Sequence, residues 1–111
     1  MMNALFGKHE RIRRKNDFQR VFQNGKKSSS SSCIVYSAVS PTQRCCRLGI
    51  VASRKVGNAV TRNRCKRIVR EIFRTRKDIF PQGSDTVVVV RRNMASKCYN
   101  DVLEELCRIF R

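Results

Sequence analysis

Residues 85–90 read DTVVVV, four consecutive valines behind an acidic and a hydroxyl residue. A β-branched side chain loses rotamer freedom in a helix and packs well on a pleated surface, so the run predicts a strand. Successive strand residues point to opposite faces, and valines on both parities need apolar cover on both sides. This strand is therefore expected in the interior of a sheet. With 111 residues there is chain enough for one such core and not for two. One domain over 1–111 is expected, with residues 1–14 as a flexible basic N-terminal segment.

The other elements are arranged around that strand. A short helix is predicted over 17–24, capped by Asn16, stopped by a left-handed Gly25, and bearing Phe18, Val21 and Phe22 as its apolar residues. The five serines at 28–32 favour a loop and disfavour burial. Residues 33–39 (CIVYSAV) read as a strand with Ile34 and Tyr36 on one face, and 48–52 (LGIVA) as a second strand in antiparallel connection with it, Gly49 marking close packing. From 59 to 77 the period becomes helical, and Cys65, Ile68, Val69, Ile72 and Phe73 gather in a stripe that should face the sheet. Ser96 can cap a last helix whose Tyr99, Val102, Leu103, Leu106, Cys107 and Phe110 keep helical spacing. The predicted order is helix, strand, strand, helix, strand, helix, an α/β (α+β) two-layer sandwich with a mixed sheet.

Charge narrows the partner. Twenty-five Lys and Arg against eight Asp and Glu leave a formal +17, which points to a polyanion. No apolar run approaches the roughly 20 residues of a membrane-spanning helix, and residues 1–10 lack the apolar core of a secretory signal. A cytoplasmic protein with no membrane partner is expected. Cys33, Cys45, Cys46, Cys65, Cys98 and Cys107 include no C-x-x-C pair, and His9 is the single histidine. Neither a zinc site nor a disulfide framework is expected, and small core residues are the better reading of the cysteines. No metal site and no nuclease constellation of protein side chains is expected.

Residues 54–76 (RKVGNAVTRNRCKRIVREIFRTR) concentrate the positive charge. Such residues are commonly the solvated face of an amphipathic helix. Projection at 100° per residue, however, places Lys66, Arg67, Arg70 and Arg74 within an arc of about 100° beside the apolar stripe, with Asn63 inside it. Only Glu71 supplies a nearby opposite charge. Like charges at such spacing repel by a few tenths of a kcal/mol per pair, a penalty that a phosphate backbone removes. Arg62, Asn63 and Arg64 lie near the helix start, where unpaired N–H groups and the macrodipole favour anions.

The stretch KVGNAVTRNRCKRIVREIFR at 55–74, with Arg62, Asn63 and Arg64 at its centre, resembles the signature of the ribonuclease P protein family. KNDFQRVFQNG at 15–25 resembles that family's first helix, and RLGIVASRK at 47–55 its strand before the signature. The resemblance implies a four-stranded mixed sheet with a left-handed crossover from 48 to 90 through the basic helix, a handedness that general sterics disfavour. It implies that Lys55, Asn58, Arg62, Asn63, Arg64, Lys66, Arg67 and Arg70 contact the catalytic RNA subunit. It also implies that a cleft holding Phe18, Phe22, Ile34 and Tyr36 takes the single-stranded 5′ leader of precursor tRNA, although Phe18 and Phe22 read equally well as core. The implied activity is endonucleolytic removal of the leader by a ribonucleoprotein. Mg2+ held by the RNA and the substrate would do the chemistry, and the protein, a monomer bound one-to-one, would be inactive alone. The chain departs from the family's usual pattern at the five serines, at Cys45 and Cys46, and at Val51, where relatives often carry a small hydroxyl residue.

Two other readings fit the charge and size. A ribosomal or assembly protein would bind RNA without supporting tRNA cleavage. A DNA-binding regulator would lay the basic helix in a major groove, but no helix-turn-helix pattern accompanies it.

Overall fold

The computed structural model describes residues 10–39 and 45–110. Helix α1 (Lys15–Asn24) is followed by strands β1 (Lys26–Ser29), β2 (Cys33–Val39) and β3 (Arg47–Val51). Helix α2 (Ala59–Thr75), strand β4 (Ser84–Val90) and helix α3 (Tyr99–Ile109) complete the order. The sheet order is β1-β2-β4-β3. The valine strand is interior as predicted: β4 pairs antiparallel with β2 and parallel with β3. The expected antiparallel link between the second and third strands is corrected here, because β3 lies beside β4 and is joined to it through α2.

Each face of β4 has its cover. On one side Val88 and Val90 join Val35 and Leu48 beneath Cys65, Val69, Ile72 and Phe73 of α2 and Val102 and Leu106 of α3. On the other, Val87 packs with Val21 of α1 and with Ile12. Fully burying a valine contributes about 1.5 to 3 kcal/mol, so the run anchors both layers at once. Ile68, expected in the stripe, is partly buried at its margin.

Four local expectations are overturned. The serine run is half strand and half turn: Lys26–Ser29 pairs with β2 in the register Lys26↔Ser37 to Ser29↔Ile34. Ser32 is fully buried, its N–H and hydroxyl donating to Glu105 at 3.0 and 2.6 Å. An edge strand tolerates polar residues, and the carboxylate satisfies what burial would otherwise orphan. Gly25 is extended, with φ −80° and ψ 155°. It is small for a different reason, since a Cβ there would stand 2.5 Å from the Val21 carbonyl oxygen. Asn16 lies inside α1, whose N-cap Arg14 makes no side-chain cap bond. The cap of α3 is Cys98, not Ser96: the Asp101 carboxylate accepts the Cys98 N–H at 3.1 Å, and the Ser96 hydroxyl donates to the Asn93 carbonyl.

Residues 1–9 of the expected N-terminal segment lie outside the described residues, but 10–14 run beside β3. The Ile12 N–H donates to the Leu48 carbonyl at 2.9 Å and its side chain is buried, so the expected flexible segment does not extend this far. Of the six cysteines, Cys33 and Cys65 are buried core residues, Cys46 and Cys107 are half-buried, and Cys45 and Cys98 are exposed.

Candidate nucleic-acid interface

Helix α2 begins with Asn58, whose side chain accepts the Thr61 N–H at 2.9 Å. This cap uses the Asn58 carbonyl oxygen for the fold. With Cys65, Val69, Ile72 and Phe73 turned to the core, Asn63, Arg64, Arg67 and Arg70 are exposed, and Arg62 and Lys66 are half-buried. Lys55 is exposed in the 3-10 turn Arg54–Val56 just before the helix.

These cations have no acidic neighbours because the acids are engaged elsewhere. Glu10 pairs with Lys77, Glu71 with Arg74, Asp78 with Arg76, and Glu104 with Arg108. Asp17 and Asp85 hold Arg20 and Arg47, Glu105 holds Ser32 and Lys97, and Asp101 caps α3. Among the described residues, no carboxylate lies within ion-pair distance of Lys55, Arg62, Arg64, Lys66, Arg67 or Arg70. Arg74, projected into the same arc, is removed from it by Glu71, whose carboxyl the guanidinium holds below its ordinary value. Arg64 differs from its neighbours: it donates to the carbonyls of Ala95 and Lys97 at 3.3 and 2.8 Å, tying α2 to the turn before α3. Arg62 keeps a buried Nε with no acceptor among the described residues.

The second predicted cluster forms on the opposite face of the sheet. Tyr36, Val87 and Gly49 lie side by side across β2, β4 and β3, and Ile34, Val89 and Val51 make the next row. Helix α1 covers the first row and leaves the second half-exposed. The Phe22 ring meets Tyr36 edge-on at 4.9 Å, Phe18 stands 6.5 Å from Phe22, and the Lys27 ammonium lies 5.9 Å from the Tyr36 ring. The two phenylalanines divide: Phe22 is 40% exposed, while Phe18 is half-buried against β3. A Cβ on Gly49 would come within 2.6 Å of the Phe18 ring, so Gly49 marks the close packing that the sequence suggested.

Helix α1 is fixed over the sheet by charge as well. Asp85, 2% exposed, accepts from Arg47 of β3 and from Arg20 of α1, and Asp17 of α1 lies 3.6 Å from Arg47. These bonds raise the Arg47 pKa above its ordinary value.

A feature missed by the sequence reading joins the two clusters. At the outer edge of β3 a groove of about 320 Å³ is lined by Arg11, Arg13, Lys66 and Arg70 over Phe18, Gly49 and Ile50. The alternation Arg-Ile-Arg at 11–13 is the signal that could have found it, since period two sends both arginines away from a buried Ile12.

The family model described as Ribonuclease P matches residues 6–111. The chain belongs to the ribonuclease P protein family. It is 38% identical to the ribonuclease P protein component of Bacillus cereus over 110 residues, covering 99% of this chain and 92% of that one. The fold matches the Staphylococcus aureus RNase P protein with a TM-score of 0.81 at 31% identity, over 90% of this chain and 91% of that one. It matches the Thermotoga maritima RNase P protein at 0.79 and 36% identity, over 91% and 94%. Membership in the ribonuclease P protein family makes the chain a protein component of that ribonucleoprotein, partnered with ribonuclease P RNA and belonging to tRNA processing. The DNA-binding and ribosomal readings are set aside on this ground. Among the described residues no helix is long and apolar enough to cross a membrane.

Proposed function

We propose that this protein binds the catalytic RNA through the basic face of α2 and holds the 5′ leader of precursor tRNA in the cleft between α1 and the sheet. It thereby promotes removal of the leader. The observation that carries the reading is the set of cations on and before α2 with no carboxylate beside them, while all eight acids serve the fold. Such a surface gains affinity by releasing counterions from RNA phosphates. Arg62, Asn63, Lys66, Arg67 and Arg70 are the contacts expected to matter most, with Lys55 at the approach. Asn58 and Arg64 contribute partly by holding the helix start and the adjoining turn. In the cleft, Phe22 and Tyr36 offer ring faces to unpaired bases at roughly 1 to 3 kcal/mol per stack, with Ile34 alongside and Phe18 as the wall.

Magnesium is assigned to the RNA and the substrate. No three of the described His, Cys, Asp and Glu residues come together as a ligand set, and each carboxylate already has a partner, so the protein's own donors do not fit the ion. The protein contributes charge screening and substrate affinity, as one monomer per RNA, and bond cleavage belongs to the RNA.

The test is 5′ cleavage of precursor tRNA by ribonuclease P RNA at low magnesium. Wild-type protein is expected to restore cleavage and to cut nothing alone, and Arg62→Ala/Arg67→Ala to restore little. If about six phosphates are neutralised, log affinity for the RNA falls with log salt at a slope near −4 to −5. A slope near zero, or full rescue by the double variant, would overturn the reading.

A further inference from the structure

We propose that Cys45 and Cys46 form a dithiol site that captures a trivalent arsenical carrying one organic substituent. The site shares no residue with the basic face of α2 or the aromatic cleft, and its test does not depend on how RNA is bound.

Local structure brings the two thiols to one place. Successive residues of an extended chain point to opposite sides, but the backbone bends at Cys45, and both cysteines line one cavity of about 430 Å³ together with Glu10, Lys77, Asp78 and Phe80. Cys45 is exposed and Cys46 half-buried, so a small solute reaches both in the folded protein. The other cysteines offer no second pair of this kind. Cys33 and Cys65 are buried, and Cys98 and Cys107 lie at the cap and in the body of α3, about 13 Å apart along the helix axis.

The donors select the ligand. A four-coordinate divalent ion needs ligands beyond two sulfurs, but Glu10 is taken by Lys77 and Asp78 by Arg76. No three described His, Cys, Asp or Glu residues meet as a metal set. A direct disulfide is poorly matched as well. The two Cα atoms are one trans peptide apart, about 3.8 Å, whereas disulfides usually span about 4.4 to 6.8 Å. One atom inserted between the sulfurs lengthens the bridge and relieves that mismatch. An arsenical with one organic group has two exchangeable hydroxyls for two thiols. Each sulfur forms an As–S bond as an As–O bond breaks, and each hydroxyl leaves with the thiol proton as water. Arsenic stays trivalent and nothing is oxidised or reduced, so no further reactant is needed. The second As–S bond closes within one molecule, which raises retention over a single thiol by roughly 100- to 10,000-fold.

The fold tolerates loading. The Cys46 thiol donates to the Pro81 carbonyl at 3.1 Å, and this donor is lost when arsenic takes the sulfur. The same carbonyl keeps the Ser84 hydroxyl at 2.6 Å, so no buried acceptor is orphaned. Phe80 gives the organic group an apolar wall.

The experiment titrates the reduced full-length protein with phenylarsine oxide, after removal of reductant. Intact mass, the number of thiols lost and retention against excess glutathione are recorded. The expected result is one tightly held arsenic per chain with two thiols lost, released by a dithiol competitor. Cys45→Ser should weaken retention roughly 100-fold, and Cys98→Ser should leave it unchanged. Retention by Cys45→Ser equal to that of the wild type overturns the site, as does one thiol lost per arsenic. Loss of two thiols with no arsenic in the mass means that the pair closes as a disulfide, which also overturns it. Cys46→Ala should match Cys45→Ser; if it folds poorly, the exposed position decides. The loaded protein should melt within about 2 °C of the unloaded one. A larger drop would show that the thiols are reached only by opening the start of β3, and would overturn the site as one of the folded protein.

Discussion

Arg47 of β3 donates its Nε to Asp85 Oδ1 at 2.8 Å and its Nη2 to Oδ2 at 2.6 Å, a bidentate pair closed over by α1. Arg20 of the helix reaches the same carboxylate, so three elements meet on one buried charge. Asp85→Asn keeps the shape and removes the charge. Losing one partner of a fully buried pair costs about 3 to 5 kcal/mol. Here the cost is nearer about 2 kcal/mol, because Arg20 is half in solvent. A melt should show Tm lower by roughly 10 °C. A shift under about 2 °C would mean that apolar packing alone seats α1.

Gly49→Ala tests the contact between α1 and β3. The added methyl has no room beside the Phe18 ring, and overpacking costs about 1 to 3 kcal/mol. Affinity for leader-bearing precursor should fall more than affinity for the RNA subunit, because the shifted ring borders the cleft and α2 is untouched. Equal losses in the two titrations would place the damage elsewhere.

Arg64 and Arg67 are both exposed and neighbours in the signature, but they should respond differently. Arg64→Ala removes two bonds to the carbonyls of Ala95 and Lys97, worth roughly 1 to 3 kcal/mol in total, so both stability and RNA affinity should drop. Arg67→Ala should weaken RNA binding with Tm nearly unchanged. Melting curves beside salt titrations separate the two, and a stability loss at Arg67 equal to that at Arg64 would contradict the assignment.

Glu105 predicts an acid limb. Burial acts to raise its carboxyl, but hydrogen bonds from the serine turn and the charge of Lys97 outweigh it and hold the group below its ordinary value of 4.5. A carboxyl depressed in the folded state binds fewer protons there than in the unfolded chain. Its stabilisation is thus complete above about pH 4.5 and lost as pH falls through the lower folded value. Stability measured between pH 6 and 3 should decline for the wild type and more gently for Glu105→Gln, which starts lower. Parallel curves would remove Glu105 from the account.

The cysteines should sort by exposure. Burial pushes the Cys33 and Cys65 thiols up, and a buried thiol is slow to react. A thiol reagent at neutral pH should modify Cys45 and Cys98 first and reach Cys33 and Cys65 only in denaturant. Early modification of Cys65 would show that α2 opens locally from the sheet.

Much of the site was legible because helical period and charge are local properties. Lys66, Arg67, Arg70 and Arg74 could be placed in one arc of α2 without a structure, and Ile34 with Tyr36 on one face of β2. Arg11 and Arg13 were not found, because their meaning depends on Ile12 docking against Leu48, 36 positions away in the numbering. Gly25 and Ser96 were misread for a related reason. Each carries a local preference that a carbonyl oxygen or a better-placed carboxylate overrode.

The sequence by itself determined that β4 is interior, that α2 and α3 are amphipathic, and that the partner is a polyanion. Each follows from side-chain chemistry repeated at a fixed period. Tertiary structure decided the strand order, because pairing partners are chosen by which faces can be buried together. It turned half of a serine run into an edge strand, because β2 offered an open ladder and Glu105 a carboxylate for the turn. It also decided which cations remain without an acid. All eight carboxylates were spent within the fold, and Arg62, Lys66, Arg67 and Arg70 of α2 are among the cations left without one.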